Sequence, residues 1–261
     1  MKLPEEIEAI VGGKAFSVDQ VGLSGSKIIC YENMVLKIEH RGEESDAEHR
    51  MMAWLSGRLP VPRVLFSRTE GETSYLLMSR TEGEMACART YLDDPRRLVR
   101  LLAQGLRELW AVDISECPCR QTLDEKLRLA EIRVKNRLCD LEHVEPGTYG
   151  ENGFASPAEL LEWLKRNRPA EELVFSHGDC CLPNVFLRDN EISGFIDLGR
   201  SGIADRYQDI ALCYRSLRDN LAGKFGGECR PGFDPCRLFD ELQIKPDWEK
   251  IRYFILLDEL F

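Results

Sequence analysis

No run of about 18 apolar residues interrupts the 261-residue sequence, so it offers no segment to cross a bilayer as a helix. The first residues, MKLPEEIEAIVGG, are acidic and helix-like. They lack the basic start and apolar core of a secretory leader, and a cytoplasmic location is expected. Zinc-ligand spacing is missing among the ten cysteines, whose only close pairs are Cys117/Cys119 and Cys180/Cys181. A chain of this size needs no disulfide staples, so reduced thiols are expected. Basic charge is short as well. The 35 Lys and Arg residues stand against 45 Asp and Glu, a net charge of −10, which argues against a nucleic-acid-binding face. The acidic excess either draws a cationic partner toward an acidic cleft or serves solubility alone. What is present is ordinary globular composition: 43% hydrophobic residues, and length for one large domain or two lobes around a cleft.

The densest chemistry lies in residues 173–200, LVFSHGDCCLPNVFLRDNEISGFIDLGR. The apolar run 173–175 leads into Ser176-His177-Gly178-Asp179, Asn184 follows Asp179 by five residues, and a second apolar run covers 185–187. After a turn at Asp189-Asn190, the stretch 192–196 leads into Asp197-Leu198-Gly199. An Asp and an Asn at this interval, followed by an apolar-D-x-G element, have the spacing of a kinase catalytic loop and metal site. In such a site one Asp accepts the proton of an attacking hydroxyl, while the Asn and the second Asp hold Mg²⁺ against nucleotide phosphates. Mg²⁺ takes hard oxygen ligands, which carboxylates and an amide supply. A hairpin with acidic turns would use the same residue types. Three such elements in order, each flanked by strand-like apolar residues, favour the catalytic reading. Cys180 and Cys181 have no neighbouring base except His177 and read as packing residues.

In the N-terminal third, residues 4–10 read as a short helix and 16–39 as hairpin-connected strands. Val21-Gly22-Leu23-Ser24-Gly25-Ser26 forms one turn and Glu32-Asn33 another. The first turn lacks a full G-x-G-x-x-G. Its small residues Ser24, Gly25 and Ser26 either let backbone N–H groups approach phosphate oxygens or make an ordinary hairpin turn. Lys37 sits inside the apolar strand Met34-Val35-Leu36-Lys37-Ile38, either at an edge with its stem on the core or bound to an anion. Glu48 follows eleven residues later, on a helix expected from near Ser45. A strand Lys and a helix Glu make the ion pair that holds the α- and β-phosphates in kinases. Ser45-x-x-Glu48 also fits a capping box, in which Glu48 would serve only its own helix. Met51, Met52, Trp54 and Leu55 form a stripe that would pack this helix on the sheet. Leu59-Pro60-Val61-Pro62 extends the chain, strands are expected over 63–67 and 74–78, and Ser79-Arg80-Thr81-Glu82-Gly83 reads as a hinge facing a nucleobase.

Asp94-Pro95 opens a core helix with an N-cap and a first-position proline, and Leu98, Leu101, Leu102, Leu109 and Val112 keep helical spacing. A more polar helix is expected over 122–139, and the capping box Ser156-Pro157-Ala158-Glu159 opens a third that runs to Arg168. Between these two, 140–153 is rich in Gly and acids, with Glu142, Glu145 and Glu151. Helices are also expected over 205–221 and 247–260, separated by a loop marked by Gly and Pro at 222–237. Asp209 either braces the catalytic loop by accepting backbone N–H bonds or faces solvent.

HGDCCLPN followed by GFIDLGRSGIADRYQDIA, with the ending ILLDELF, resembles the aminoglycoside 3′-phosphotransferases (kanamycin kinases), and the similarity runs from near residue 20 to Phe261. The resemblance implies an α+β, protein-kinase-like two-lobe fold. Residues 1–81 would form a small β-rich N-lobe that binds nucleotide, and residues 82–261 a larger helical C-lobe for catalysis and substrate. The implied reaction moves the γ-phosphoryl group of ATP, or GTP, to the 3′-hydroxyl of aminoglycosides such as kanamycin and neomycin, conferring resistance. Asp179 is then the base or hydroxyl-positioning group, and Asn184 and Asp197 hold Mg²⁺. Lys37, oriented by Glu48, holds phosphates beneath Ser24, Gly25 and Ser26. Substrate contacts carry over to Arg200, Asp219, Asp258, Glu259 and Phe261, and the loop corresponding to 140–153 lends carboxylates in the family. Acids suit a substrate with several ammonium groups, because each charge-assisted hydrogen bond is strong.

Two positions depart from the family pattern. Val35 stands where an aromatic often stacks on the base, and Asn220 where a second acid can follow Asp219. The alternatives are a kinase of the same fold for choline-like or sugar alcohols, a non-catalytic nucleotide-binding module, and a protein kinase. The DELF ending disfavours the first. The presence of Lys37, Glu48, Asp179, Asn184 and Asp197 disfavours the second. The lack of an A-P-E segment after Asp197-Leu198-Gly199 disfavours the third. Neither nucleic acid nor membrane is an expected partner.

Overall fold

The computed structural model describes residues 3–19 and 26–261. Along the chain, helix α1 (Glu5–Val11) precedes strands β1 (Ser17–Asp19), β2 (Lys27–Cys30) and β3 (Met34–His40). Helix α2 (Glu43–Leu55) leads to the hairpin β4 (Val64–Glu70) and β5 (Thr73–Ser79). After β6 (Glu84–Met85) come α3 (Arg89–Leu92), α4 (Pro95–Trp110), α5 (Leu123–Lys135), α6 (Pro157–Arg166) and β7 (Leu173–Ser176). A second hairpin, β8 (Val185–Arg188) and β9 (Glu191–Phe195), is followed by β10 (Gly202–Asp205), α7 (Arg206–Leu221), α8 (Arg237–Leu242) and α9 (Trp248–Asp258). These elements divide into two compact units, Met1–Glu84 with Val185–Arg200, and Met85–Asn184 with Ser201–Phe261.

The first unit is built on a five-stranded antiparallel sheet in the order β1-β2-β3-β5-β4. Successive side chains on a strand point to opposite faces. On β3, Met34, Leu36 and Ile38 enter a core with Ile29, Tyr31, Tyr75, Leu77 and, from α1, Ile7 and Val11. Val35, Lys37 and Glu39 therefore share the other face. Helix α2 starts earlier than the sequence suggested. The Gly42 N–H donates to Ser45 Oγ at 3.0 Å, so Ser45 closes the first turn from its third position. Glu48 thus lies inside the helix, buried, and does not cap it. Hairpin β8–β9 belongs to this unit through Phe195 N–H, which donates to Pro60 O at 2.9 Å, and Ser193 Oγ, which donates to Glu82 O at 2.6 Å. The turn Leu198–Arg200 that follows lies on α2. A Cβ on Gly199 would come within 2.9 Å of Glu44 O, so this approach requires glycine.

The second unit is mainly helical, and its helices begin where local side-chain bonds allow. The Asp94 carboxylate accepts from Arg97 N–H at 3.1 Å, with Pro95 in the first position of α4. Ser156 Oγ accepts from Glu159 N–H at 3.3 Å ahead of α6, and Asp205 and Asp247 cap α7 and α9. These bonds satisfy N–H groups that have no partner within the helix. Helix α4 buries Leu98, Leu101, Leu102, Leu106 and Leu109. Helix α5 stops at Lys135, short of the expected 139, because Arg137 takes a left-handed φ of 57°. Strands β7 and β10 pair antiparallel, which sets the segment after Ser176 at the end of a fixed strand. All ten cysteines are free thiols. Among the described residues, no helix is long and apolar enough to cross a membrane.

Candidate active site

On the face of β3 opposite the α1-covered core, the Lys37 ammonium meets three carboxylates: Glu48 Oε2 at 2.9 Å, Asp197 Oδ1 at 2.9 Å and Glu39 Oε2 at 3.3 Å. Burial works to lower the Lys37 pKa, but Glu48, Asp197 and Glu39 together outweigh it and the net shift is upward. The three carboxylates thus favour the charged form of Lys37. Burial in turn pushes the Glu48 carboxyl up, with the Lys37 ammonium opposing it. Asp197 takes a left-handed φ of 58° where the hairpin runs into the turn against α2. Such a conformation costs on the order of 1–3 kcal/mol in a non-glycine residue and is held by its surroundings. Ser26 Oγ donates to Glu39 Oε2 at 3.3 Å. Ser24 and Gly25 lie outside the described residues. Val35 shares the face of Lys37 and stands in register between Cys30 and Met78.

In the second unit the segment after β7 is tied down by Asp209, which is fully buried in α7. Its Oδ1 accepts from Ser176 Oγ at 2.9 Å and Gly178 N–H at 3.0 Å, and its Oδ2 accepts from His177 N–H at 3.1 Å. Burial pushes the Asp209 carboxyl up, and His177 with these donors pulls against it. Of the two readings of Asp209, the geometry shows the brace. Gly178 turns the chain with a left-handed φ of 85°, and its carbonyl accepts from Gln208 Nε2 at 3.2 Å. Three residues beyond Cys181, Asn184 Nδ2 donates to both Asp179 O and Asp179 Oδ2 at 3.0 Å. That use of the amide nitrogen leaves Asn184 an amide oxygen as its donor atom for a hard cation. The Cys180 thiol is pushed well up by Cys213 and burial, and the Cys181 thiol by burial and Asp179, so neither is a ready nucleophile.

A second group of acids collects around α7, α9 and the loop between α5 and α6. Arg215 pairs with Asp258 and lies 3.6 Å from Glu259 Oε1. The Glu145 N–H donates to Glu259 Oε2 at 3.2 Å. Arg218 bridges Asp219, at 2.8 Å, and Glu145, and Lys224 bridges the same two acids at 2.8 and 3.2 Å. Burial pushes the Glu259 carboxyl up to about 7. Burial also works to raise Asp219, but Arg218 and Lys224 bring it below its ordinary value. Asn220, where a second acid can stand, donates its Nδ2 back to Ser216 O at 2.8 Å. The Phe261 ring lies near Lys126 Nζ, at 5.3 Å, and Arg133 Cζ, at 5.7 Å. Arg200 belongs to the first unit, where it meets Glu44 at 3.2 Å.

Residues 6–250 match the phosphotransferase enzyme family. An aminoglycoside 3′-phosphotransferase from Enterococcus faecalis is 41% identical over 100% of this chain and 99% of its own. The chain belongs to the aminoglycoside 3′-phosphotransferase family. The crystal structure of an aminoglycoside 3′-phosphotransferase of type VIII superposes with a TM-score of 0.79 at 30% identity, covering 98% of this chain and 97% of that one. An aminoglycoside phosphotransferase from Streptomyces rimosus, solved with ADP and streptomycin, gives 0.77 at 25% identity over 97% and 95% of the two chains. As a member of the aminoglycoside 3′-phosphotransferase family, the chain is a phosphotransferase of kinase-like fold, with an antiparallel β-sheet in one unit and a helical second unit.

Three groups hold most of the site residues expected for an aminoglycoside 3′-phosphotransferase. Lys37, Glu48 and Asp197 meet in one, Asp179 and Asn184 in another, and Asp219, Asp258 and Glu259 lie in the third. The sequence reading missed Glu39, although two residues after Lys37 on a strand is the same face. It also missed the cations Arg215, Arg218 and Lys224. Arg218 is next to Asp219 in sequence and Lys224 five residues beyond it, a local signal for two of the three. Glu145 was one of three glutamates in its loop. Only its long-range partners Glu259, Arg218 and Lys224 distinguish it from Glu142 and Glu151.

Proposed function

We propose that the chain transfers the γ-phosphoryl group of ATP, or GTP, to the 3′-hydroxyl of aminoglycosides such as kanamycin and neomycin, and so confers resistance in the cytoplasm. The observation that carries this reading is the Asp209-braced loop holding Asp179 against Asn184. Asp179 takes or orients the proton of the acceptor hydroxyl. Lys37, held by Glu48, binds the α- and β-phosphates, with Ser24, Gly25 and Ser26 above the phosphate tail. Asn184 and Asp197 each offer a hard oxygen to Mg²⁺, which supplies charge neutralisation when bound. Arg200, Asp219, Asp258, Glu259 and Phe261, joined by Glu145, receive the acceptor. In this assignment residues 1–81 serve the nucleotide, and residues 82–261 serve catalysis and the acceptor. Positioning and charge neutralisation do most of the work of phosphoryl transfer, so no covalent nucleophile is required.

A matched pair of acceptors tests the reading. Kanamycin should support ADP release. A 3′-deoxy aminoglycoside should compete with kanamycin yet receive no phosphate on that ring, because it keeps the ammonium groups but lacks the hydroxyl. The competition should weaken as salt rises, since exposed charges are screened over about 8–10 Å at 0.1–0.15 M ionic strength. Turnover of choline without turnover of kanamycin would overturn the assignment, as would rapid phosphorylation of the 3′-deoxy ring.

A further inference from the structure

Helix α7 closes in a way that sets a lysine on its own last turn. The Gly223 N–H donates to Asn220 O at 3.1 Å and the Lys224 N–H to Asp219 O at 3.0 Å. Gly223 takes the left-handed φ of 77° that this C-terminal motif requires, and a Cβ there would also strike Gly227 O at 2.7 Å. The motif folds the residue after the glycine back over the third residue from the helix end, where an apolar contact is usual. In this chain those two residues are Lys224 and Asp219, and the contact is an ion pair. The ammonium also reaches Glu145, so a local backbone device places one primary ammonium on two acids.

We propose that Lys224 is a built-in ammonium ligand of the acceptor site, one that holds Asp219 and Glu145 in the free enzyme and yields them to an ammonium group of the incoming aminoglycoside. This rests on the reading of Asp219 as an acceptor contact. The chemistry matches because both contenders are primary ammonium groups bound by carboxylates. Exposure separates the fixed partner from the removable one. The Asp219 and Glu145 side chains are 10% and 17% exposed, whereas that of Lys224 is 43% exposed and returns to water when displaced. Arg218 touches the same two acids from within α7 and stays as their permanent counter-charge. With Lys224 in place the group is neutral. Without it the group carries one net negative charge, suited to one substrate ammonium. Lys224 thereby sets acceptor affinity, and it weakens the enzyme's hold on amine-poor acceptors most.

The test compares Lys224→Met, Lys224→Gln and Lys224→Arg with the wild type, using kanamycin and ATP. In K224M and K224Q the kanamycin KM should fall about two- to fivefold, the range expected for release from a half-exposed ion pair. The KM should also rise more steeply with salt than in the wild type, because the group is no longer neutral. K224R keeps the cation and should stay at the wild-type value, which a loss of packing alone would not reproduce. Calorimetric binding of kanamycin to each folded variant gives the same comparison without turnover. An unchanged or raised KM and Kd in both K224M and K224Q would overturn the proposal, showing that Lys224 only neutralises the acids or contacts substrate itself. A wild type that turns over ATP with another alcohol but not with kanamycin would instead locate the failure in the acceptor reading.

Discussion

Replacing Lys37 by methionine (K37M) removes the cation that Glu39, Glu48 and Asp197 share while keeping most of the side-chain volume. The three acids are not equally affected. Asp197 has a side chain 44% exposed and can solvate, whereas that of Glu48 is 2% exposed and cannot. Removing one partner of a buried pair costs about 3–5 kcal/mol, because the other is left as an uncompensated charge. For a chain of this size that corresponds to a fall in Tm of about 6–20 °C. The loss should depend on pH in a set direction. Burial already pushes the Glu48 carboxyl above its unfolded value of 4.5, and loss of Lys37 removes the main opposing influence. A carboxyl raised in the folded state favours folding below its unfolded pKa, and that contribution is lost as pH rises through the folded pKa. K37M should therefore melt close to the wild type near about pH 4.5 and well below it near about pH 8. Differential scanning fluorimetry at the two pH values measures this. Adding Glu48→Gln should restore much of the Tm at the higher pH but none of the turnover, because the lysine assigned to the phosphates is still missing. A deficit of equal size at both pH values, or a further loss in the double variant, would show that an uncompensated Glu48 charge is not the cause.

Asp179→Ala should lower phosphoryl transfer by about 10²–10⁴-fold, the usual worth of a positioned general base, while the Kd for Mg²⁺-nucleotide stays near the wild type; rapid-quench kinetics with nucleotide titration separates the two. Gly199→Ala should cost about 1–3 kcal/mol, because its Cβ meets the α2 backbone at Glu44 O 2.9 Å away and one element must shift; a thermal melt indistinguishable from the wild type would remove the reason for glycine in that turn.

Part of the candidate site's geometry was legible because some of its residues are close in sequence. Asp179 and Asn184 are five apart and bond to each other across one turn, so their spacing carries their geometry. Helix starts at Asp94-Pro95 and Ser156-Pro157 were legible for the same reason: the capping atom and the N–H it satisfies lie within three residues. Ser45 shows the limit of that reasoning. Its hydroxyl serves the start of α2 from inside the helix, so the interval to Glu48 looked like a cap and was not one. The link between Lys37 and Asp197 spans 160 residues, and the sequence did not suggest it: only the pairing of Lys37 with Glu48 was expected. Nothing local marks Val185–Arg200 as part of the unit formed by the first 84 residues. Its membership comes from Pro60, Glu82 and Glu44, which receive Phe195, Ser193 and the turn at Gly199. The pairing of Glu145 with Arg218 and Lys224 was illegible on the same ground, since they meet only after the α5–α6 loop has folded onto α7.

In the proposed reaction Asp179 directs phosphate to one hydroxyl of an aminoglycoside. The most direct measurement is the position of that phosphate, read by phosphorus–proton correlation NMR on kanamycin treated with the purified chain, ATP and Mg²⁺. A single monophosphate is expected, coupled to the proton at the 3′ carbon, and no product from Asp179→Ala under the same conditions. A phosphate on another hydroxyl, or the same product from Asp179→Ala at a comparable rate, would contradict it.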